Sequence, residues 1–573
     1  MTPEKQVHEE SLWFGVVDRP FFGRLSTPVD EKTLGGILLS PPIGRESRLA
    51  RRALRSLAFL LAADGYVSLR FDHFGTGDSS GMLDDKDFAS AWIEGVTEGI
   101  EYLRSLGVSS VSAIGMRMGA TIVGSAASIR DLGLSSFVMW DPCESGRAYI
   151  RELSALGALR QDGVSTDSSK PTTMLEYHFS GEVASQISHF TLSDPTSRPL
   201  AERVLVVARD DRPVSSKFRS KWEAEGVDWA TTSEQGALLE TELPSSLQPW
   251  STITQIRGWL TALPTVSACL SIPPPVRNAV MTRGSDAHRV RESLVELGPR
   301  KLFGIVSEPE GDPQGPLIVM VNGINEDHVG PSRLWVELSR QWASKGLRCI
   351  RFDLSELGES PWSPDQPNRP VFDKHRDVGD ALRELSPDDP SDSVLIGLCT
   401  GAKLALDVAL EYQARGVCSI NPSLGTTVHR NADRLKNSDR ASIQSFARKV
   451  ENQVKRHLWV GKLNRQISRL VSASAYSPKV RSTLVKNGSE MLLLVSPDDL
   501  SPFPWIPILG SLDHRRLVSS NHLRIEIVPG LDHDFLSTIG RSRAVEILDR
   551  YIVETFTDVT PETEIRRPAV EGS

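Results

Sequence analysis

Two copies of one short motif constrain what this chain can fold into more than anything else in it. Gly115-Met116-Arg117-Met118-Gly119 and Gly397-Leu398-Cys399-Thr400-Gly401 each follow a run with β-branched residues (Val111, Ile114; Val394, Ile396) and precede an Ala-rich helical pattern. The paired glycines allow a sharp turn from strand to helix, and such a turn projects its central side chain above a sheet. The two central residues differ in chemistry. An arginine cannot attack a carbonyl, whereas a cysteine can.

The surroundings of the motif repeat as well. Leu61-Ala-Ala-Asp-Gly-Tyr-Val-Ser-Leu-Arg-Phe-Asp72 aligns with Trp342-Ala-Ser-Lys-Gly-Leu-Arg-Cys-Ile-Arg-Phe-Asp353 at an offset of 281, and the two motifs are offset by 282. In each copy a helix-ending glycine (Gly65, Gly346) leads into a strand closing on Arg-Phe-Asp, then a Gly-rich turn. Strands alternating with helical patterns predict an α/β fold with a mostly parallel, doubly wound sheet in each half. The 573 residues suit two domains of roughly 250–300 residues. The stiff run Pro273-Pro274-Pro275 suits a linker. The expected division is 1–265, a linker at 266–290, a second domain at 291–557 and a disordered tail at 558–573. Each half carries an insertion after its motif, at about 145–200 and 424–489, expected to form a helical cap.

A net charge of −8 and a pI near 5.9 argue against general nucleic-acid binding. The start, Met1-Thr2-Pro3-Glu4-Lys5, lacks a signal-peptide layout, and no apolar run is long enough to span a bilayer, so a cytoplasmic location is expected. Five scattered cysteines without a C-x-x-C indicate neither a disulfide framework nor a metal site, and no cofactor is expected. The second insertion is basic, with 14 Lys and Arg against 3 Asp and Glu in residues 430–486 and Trp459, Leu463, Ile467 and Leu470 at helical spacing. One reading is a helix with a solvated charged face. The sharper one is a cap that attracts an anionic phosphopantetheine, nucleotide or lipid head group.

The turn is similar to the G-x-S-x-G elbow of α/β-hydrolases, here without the serine. The first half resembles exosortase A system-associated hydrolases through Pro41-Pro42, Phe71-Asp72-His73-Phe74-Gly75-Thr76-Gly77-Asp78-Ser79-Ser80-Gly81 and Trp140-Asp141-Pro142. The second resembles serine-aminopeptidase-like bacterial α/β-hydrolases through Val329-Gly330-Pro331-Ser332-Arg333-Leu334-Trp335, Arg351-Phe352-Asp353-Leu354-Ser355 and the Cys399 elbow. That elbow is also similar to the one in polyhydroxyalkanoate synthases, which use cysteine for acyl transfer. The resemblance implies two tandem α/β-hydrolase domains. This superfamily spans esterases, thioesterases, peptidases and acyltransferases.

In that fold the chain order is nucleophile, acid, histidine. The second half offers Cys399, then Asp499 with Asp498 as fallback after Met491-Leu-Leu-Leu-Val495, then His533 after Arg524-Ile-Glu-Ile-Val528. His533 would take the thiol proton, and the aspartate would orient and charge-stabilise the imidazole. The backbone N–H of Thr400 and of Ile324, on the loop Asn322-Gly323-Ile324-Asn325, would form the oxyanion hole. Nearby His328 reads as a plain loop histidine or a substrate contact.

The first half has Arg117 at the elbow, Asp211 after its acid strand, and no histidine from there until His288. Arg117 would form a structural ion pair, with Asp211 as the available carboxylate, or grip an anion. The expected function is ester or thioester chemistry on a small acyl substrate, by an acyl hydrolase or acyltransferase, with the first half non-catalytic. The competing expectation is an inactive binding or scaffold protein.

Overall fold

The computed structural model describes residues 7–557 except 30–31, 83–84, 86, 161–171, 175–176, 180, 193–198, 213, 241–247, 264–266, 284–287, 324–325, 362–373, 423–487, 497–521, 534 and 536. Among these residues the chain builds two large sheets. The first contains β1 (Val7–Phe14), β2 (Phe21–Pro28), β3 (Gly36–Ser40), β4 (Val67–Phe71), β5 (Val111–Met116), β6 (Leu134–Trp140), β7 (Arg203–Arg209) and β8 (Asp228–Thr232). Its spatial order is β1-β2-β4-β3-β5-β6-β7-β8. The second contains β9 (Asn278–Arg283), β10 (His288–Leu297), β11 (Leu302–Pro309), β12 (Leu317–Val321), β13 (Cys349–Phe352), β14 (Ser393–Leu398), β15 (Gly416–Ile420), β16 (Glu490–Val495) and β17 (Leu523–Ile527). Its order is β9-β10-β11-β13-β12-β14-β15-β16-β17.

Setting aside the extra edge strand β9, the second sheet repeats the order of the first. In each, one strand (β2, β11) runs antiparallel to both neighbours and every later pairing is parallel. This is the α/β-hydrolase strand order. Register repeats too: Gly23 faces Phe71 as Gly304 faces Phe352, and Ile37 faces Ser68 as Ile318 faces Cys349.

Parallel strands buried on both faces feed alternate residues to two layers. On β3, Ile37 and Leu39 enter one core and Leu38 the other; on β12, Ile318 and Met320 enter one and Leu317, Val319 and Val321 the other. Helix α1 (Arg45–Ala63) buries a stripe of Leu49, Ala50, Ala53, Leu54, Leu57, Ala58 and Leu61 against the first sheet. The elbows launch α2 (Met118–Ile129) and α5 (Thr400–Tyr412). Helix α3 (Gly146–Arg160) belongs to the first insertion, α4 (Leu334–Ala343) is the counterpart of α1, and α6 (Thr538–Phe556) closes the described chain. No helix among the described residues is long and apolar enough to cross a membrane.

The stretch 266–290, read as a linker, contains β9 and the start of β10, and Ala268–Cys269 pairs with Lys32–Thr33. Between these strands the segment around the prolines forms no strand, although Ser271 N–H donates to Leu106 and the Val276 carbonyl accepts from Trp13. The second sheet thus begins before residue 291.

The halves meet through matching surfaces. Asp78 accepts from Arg351 at 2.6 Å, and its counterpart Glu359 accepts from Arg70, the counterpart of Arg351, at 2.8 Å. Arg333 donates to the carbonyls of Gly77, Ser79 and Gly81, while Arg55 donates to those of Gly358 and Ser360. Such reciprocity is the signature of a two-fold interface, here within one chain. An apolar cluster of Trp13, Phe22, Met281, Val290, Leu294, Phe303 and Ile305 lies beside it.

Candidate active site

Both elbows have the expected backbone. Cys399 sits at φ 55, ψ −116 and Arg117 at φ 53, ψ −123, outside the left-handed helical region and strained for any residue with a Cβ. The strain holds because neighbouring chains crowd the turn. A Cβ on Gly397 would meet the Gly401 carbonyl oxygen at 2.3 Å, and one on Gly401 would meet the Val321 oxygen at 2.4 Å. Only glycine allows the elbow to lie this close to the end of β12.

Around Cys399 the chain ends of four neighbouring strands converge. The Cys399 N–H donates to Ile420 at the end of β15, and Asn421 N–H to Leu494 on β16. The buried Asn421 side chain accepts from Ser496 N–H at 2.7 Å and donates to the carbonyls of Asp532 and His533 at 3.4 and 3.2 Å. One amide thus ties the start of the acid loop to the histidine loop beside the elbow. The sequence reading missed Asn421. Its signal lay in the repeat, where the first half has Asp141, also at positive φ after the strand that follows the elbow. Cys399 is partly exposed, Cys143, Cys349 and Cys418 are buried, and Cys269 is exposed.

Thr400 begins α5 and lies against the loop after β12, since a Cβ on Gly323 would be 3.2 Å from Thr400 Oγ1. Ile324, Asp498, Asp499 and the basic segment with Trp459, Leu463, Ile467 and Leu470 lie outside the described residues.

His328 is neither a plain loop histidine nor a substrate contact. It is fully buried between two carboxylates, with Nδ1 2.7 Å from Asp353 Oδ2 and Nε2 2.6 Å from Asp78 Oδ2 of the other half. Burial works against its charged form, but Asp353 and Asp78 outweigh it and hold its pKa well above the ordinary value. Sequence reading could not find this partner, which lies 250 positions away.

At the first elbow Arg117 is buried among carboxylates other than Asp211. Its Nε donates to Glu46 at 2.9 Å and its Nη2 to Glu152 at 3.0 Å, with Asp141 3.7 Å from Nη1. Glu152 comes from α3, so a helix of the first insertion contacts the elbow arginine. Asp211 instead takes a bidentate contact from Arg209, which also binds Glu240. Burial pushes Asp141 up to about 6 despite Arg117 and Arg209. Arg212 also pairs with Glu152, so three arginines meet five carboxylates where a triad would stand.

No protein-family model and no curated protein matches the chain. Among solved structures it is similar to DcsB in complex with its substrate analogue (13% identity, 44% of this chain and 98% of that one, TM-score 0.31). It is likewise similar to Est1E from Butyrivibrio proteoclasticus with bound ferulic acid (17%, 43% and 97%, 0.33). A third is XC6422 from Xanthomonas campestris, an α/β serine hydrolase without a lid (14%, 51% and 100%, 0.28).

Proposed function

We propose that the C-terminal half is an acyl hydrolase or acyltransferase with Cys399 as nucleophile, His533 as base and Asp499, or Asp498, as the acid. The observation that carries this reading is the convergence of the strained Cys399 elbow with the histidine loop, through Asn421 at one sheet end. His533 removes the thiol proton and the sulfur attacks the acyl carbonyl. The tetrahedral oxyanion forms against the N–H groups of Thr400 and Ile324 and then collapses. The leaving oxygen or sulfur departs with the proton from His533, leaving a thioester. Water, or an acceptor hydroxyl, thiol or amine, then releases the acyl group. Thioesters transfer readily to such acceptors, which favours acyl transfer or thioester chemistry over simple ester hydrolysis. A small acyl substrate fits this reading, and the basic insertion favours an anionic one.

The N-terminal half, about residues 1–265, is a non-catalytic partner. Its elbow arginine already carries Glu46, Glu152 and Asp141 around it, a surplus of negative charge that argues against anion capture there. A scaffold role for the whole chain is favoured only by this filled first site.

The test is intact-mass detection of an adduct on Cys399 after exposure to p-nitrophenyl esters and acyl-CoAs. Cys399→Ala and His533→Ala should each cost several orders of magnitude in acylation or turnover, because triad members act as a unit. In wild type, iodoacetamide should modify Cys399 faster than the more exposed Cys269. Slower labelling and no adduct would favour the scaffold.

A further inference from the structure

Among the described residues, the cluster at the first elbow holds one inner carboxylate more than its arginines balance. Arg117 and Arg212 face Glu46, Asp141 and Glu152. Arg209 has Nη1 3.9 Å from Asp141 but gives its hydrogen bonds to the exposed Asp211 and Glu240. The surplus falls on two buried oxygens, Asp141 Oδ2 and Glu46 Oε2, which have no hydrogen-bond donor among the described residues. The Asp141 side chain is only 8% exposed, and the Arg117 and Arg209 nitrogens at 3.7 and 3.9 Å are too far to donate to it. Tyr149 and Cys143 also face the cluster, but Tyr149 donates to the Ile43 carbonyl at 3.3 Å and burial keeps the Cys143 thiol protonated. At the place of Asp141 the second half has Asn421, at φ 41 against 45, an amide that cannot ionise.

We propose that the first elbow is a proton-controlled latch on the first insertion: Asp141 carries a proton in the closed cluster, and its loss leaves an unbalanced negative charge that loosens α3 through Glu152. With the proton in place, Arg117 and Arg212 face two charged carboxylates, Glu46 and Glu152. Without it they face three, on α1, after β6 and on α3, in a site that water screens poorly. Burial pushes Asp141 up to about 6 and raises Glu46 as well. Because the folded value of Asp141 lies above the unfolded one of about 3.9, its contribution is fully present below about pH 4 and is lost as pH rises through about 6. The latch gives the non-catalytic half a response to acid that does not depend on the chemistry of Cys399.

Hydrogen exchange of the α3 amides in the full chain, expressed as protection relative to the intrinsic rate at each pH, tests the latch. In wild type, α3 protection should fall about tenfold between pH 5 and pH 7, the part of the Asp141 contribution that this interval covers, and change little from pH 7 to pH 8. Asp141→Asn, whose amide the second half already accommodates on the same backbone, should keep α3 protection within about twofold across that range. Glu46→Gln retains an acceptor for Arg117 Nε but removes the surplus charge, so the fall should shrink to less than about threefold. It also serves as the test should Asp141→Asn fail to fold. Equal falls in wild type and the variants would overturn the latch. A fall of the same size in α6, far from the cluster in sequence and on the other sheet, would mark a global loss of stability and overturn it too.

Discussion

Arg117 and Cys399 occupy equivalent strained turns, and their side chains decide what each site can do. Arg117 brings a charge into a position 3% exposed, where Glu46, Glu152 and Asp141 surround it. Arg117→Ser should therefore create no hydrolase and should destabilise the protein by about 3 kcal/mol or more, because the carboxylates lose their buried counter-charge. A thermal melt together with an ester assay checks both parts. At the second elbow, Asn421 is the residue whose loss should be most telling. Asn421→Gly keeps a backbone that accepts positive φ but removes the bonds to Ser496, Asp532 and His533. The rate of Cys399 alkylation at pH 7 should then fall about tenfold, because the loop carrying His533 is no longer tied beside the elbow. A rate unchanged from wild type would mean that Asn421 serves stability only.

At the scale of elements, the elbows and the Arg-Phe-Asp strands were legible in the sequence because both are dictated locally. Glycine spacing and two-residue alternation leave few other ways to fold. The stretch 266–290 was misread for the complementary reason. Its prolines are strong local signals, whereas β9 owes its existence to pairing with β10, and Ala268–Cys269 to pairing with Lys32–Thr33 far away in the chain. Edge strands have little pattern of their own because half of their backbone partners, and often one face, belong to solvent.

For the whole molecule, the buried interface makes the halves interdependent. Removing the C-terminal half would take Arg351 and His328 from Asp78 and Glu359 from Arg70, and would uncover the apolar cluster around Trp13 and Phe22. A chain ending near residue 275 should therefore fail to give a cooperative thermal transition, whereas the full chain should melt as one unit. His328 also sets a pH dependence. Its folded pKa lies above the unfolded value of about 6.5, so its contribution is fully present below that pH and is lost as pH rises through the folded value. His328→Gln should lower the melting temperature most near pH 6, and the gap from wild type should narrow in alkali. A gap that widens with pH would contradict a buried histidinium.

The amino-acid sequence by itself determined the duplication, the α/β class, both elbows and the residue types at their centres. These follow from local sterics and periodicity, which operate over a few residues. Only the tertiary structure decided that His328 is an interface cation, that Arg117 answers to Glu46 and Glu152, and that Arg51 reaches the loop after β12. Each is a charge whose partner lies far away in sequence. A buried charge must find a counter-charge, but that demand says nothing of where along the chain the counter-charge will come from.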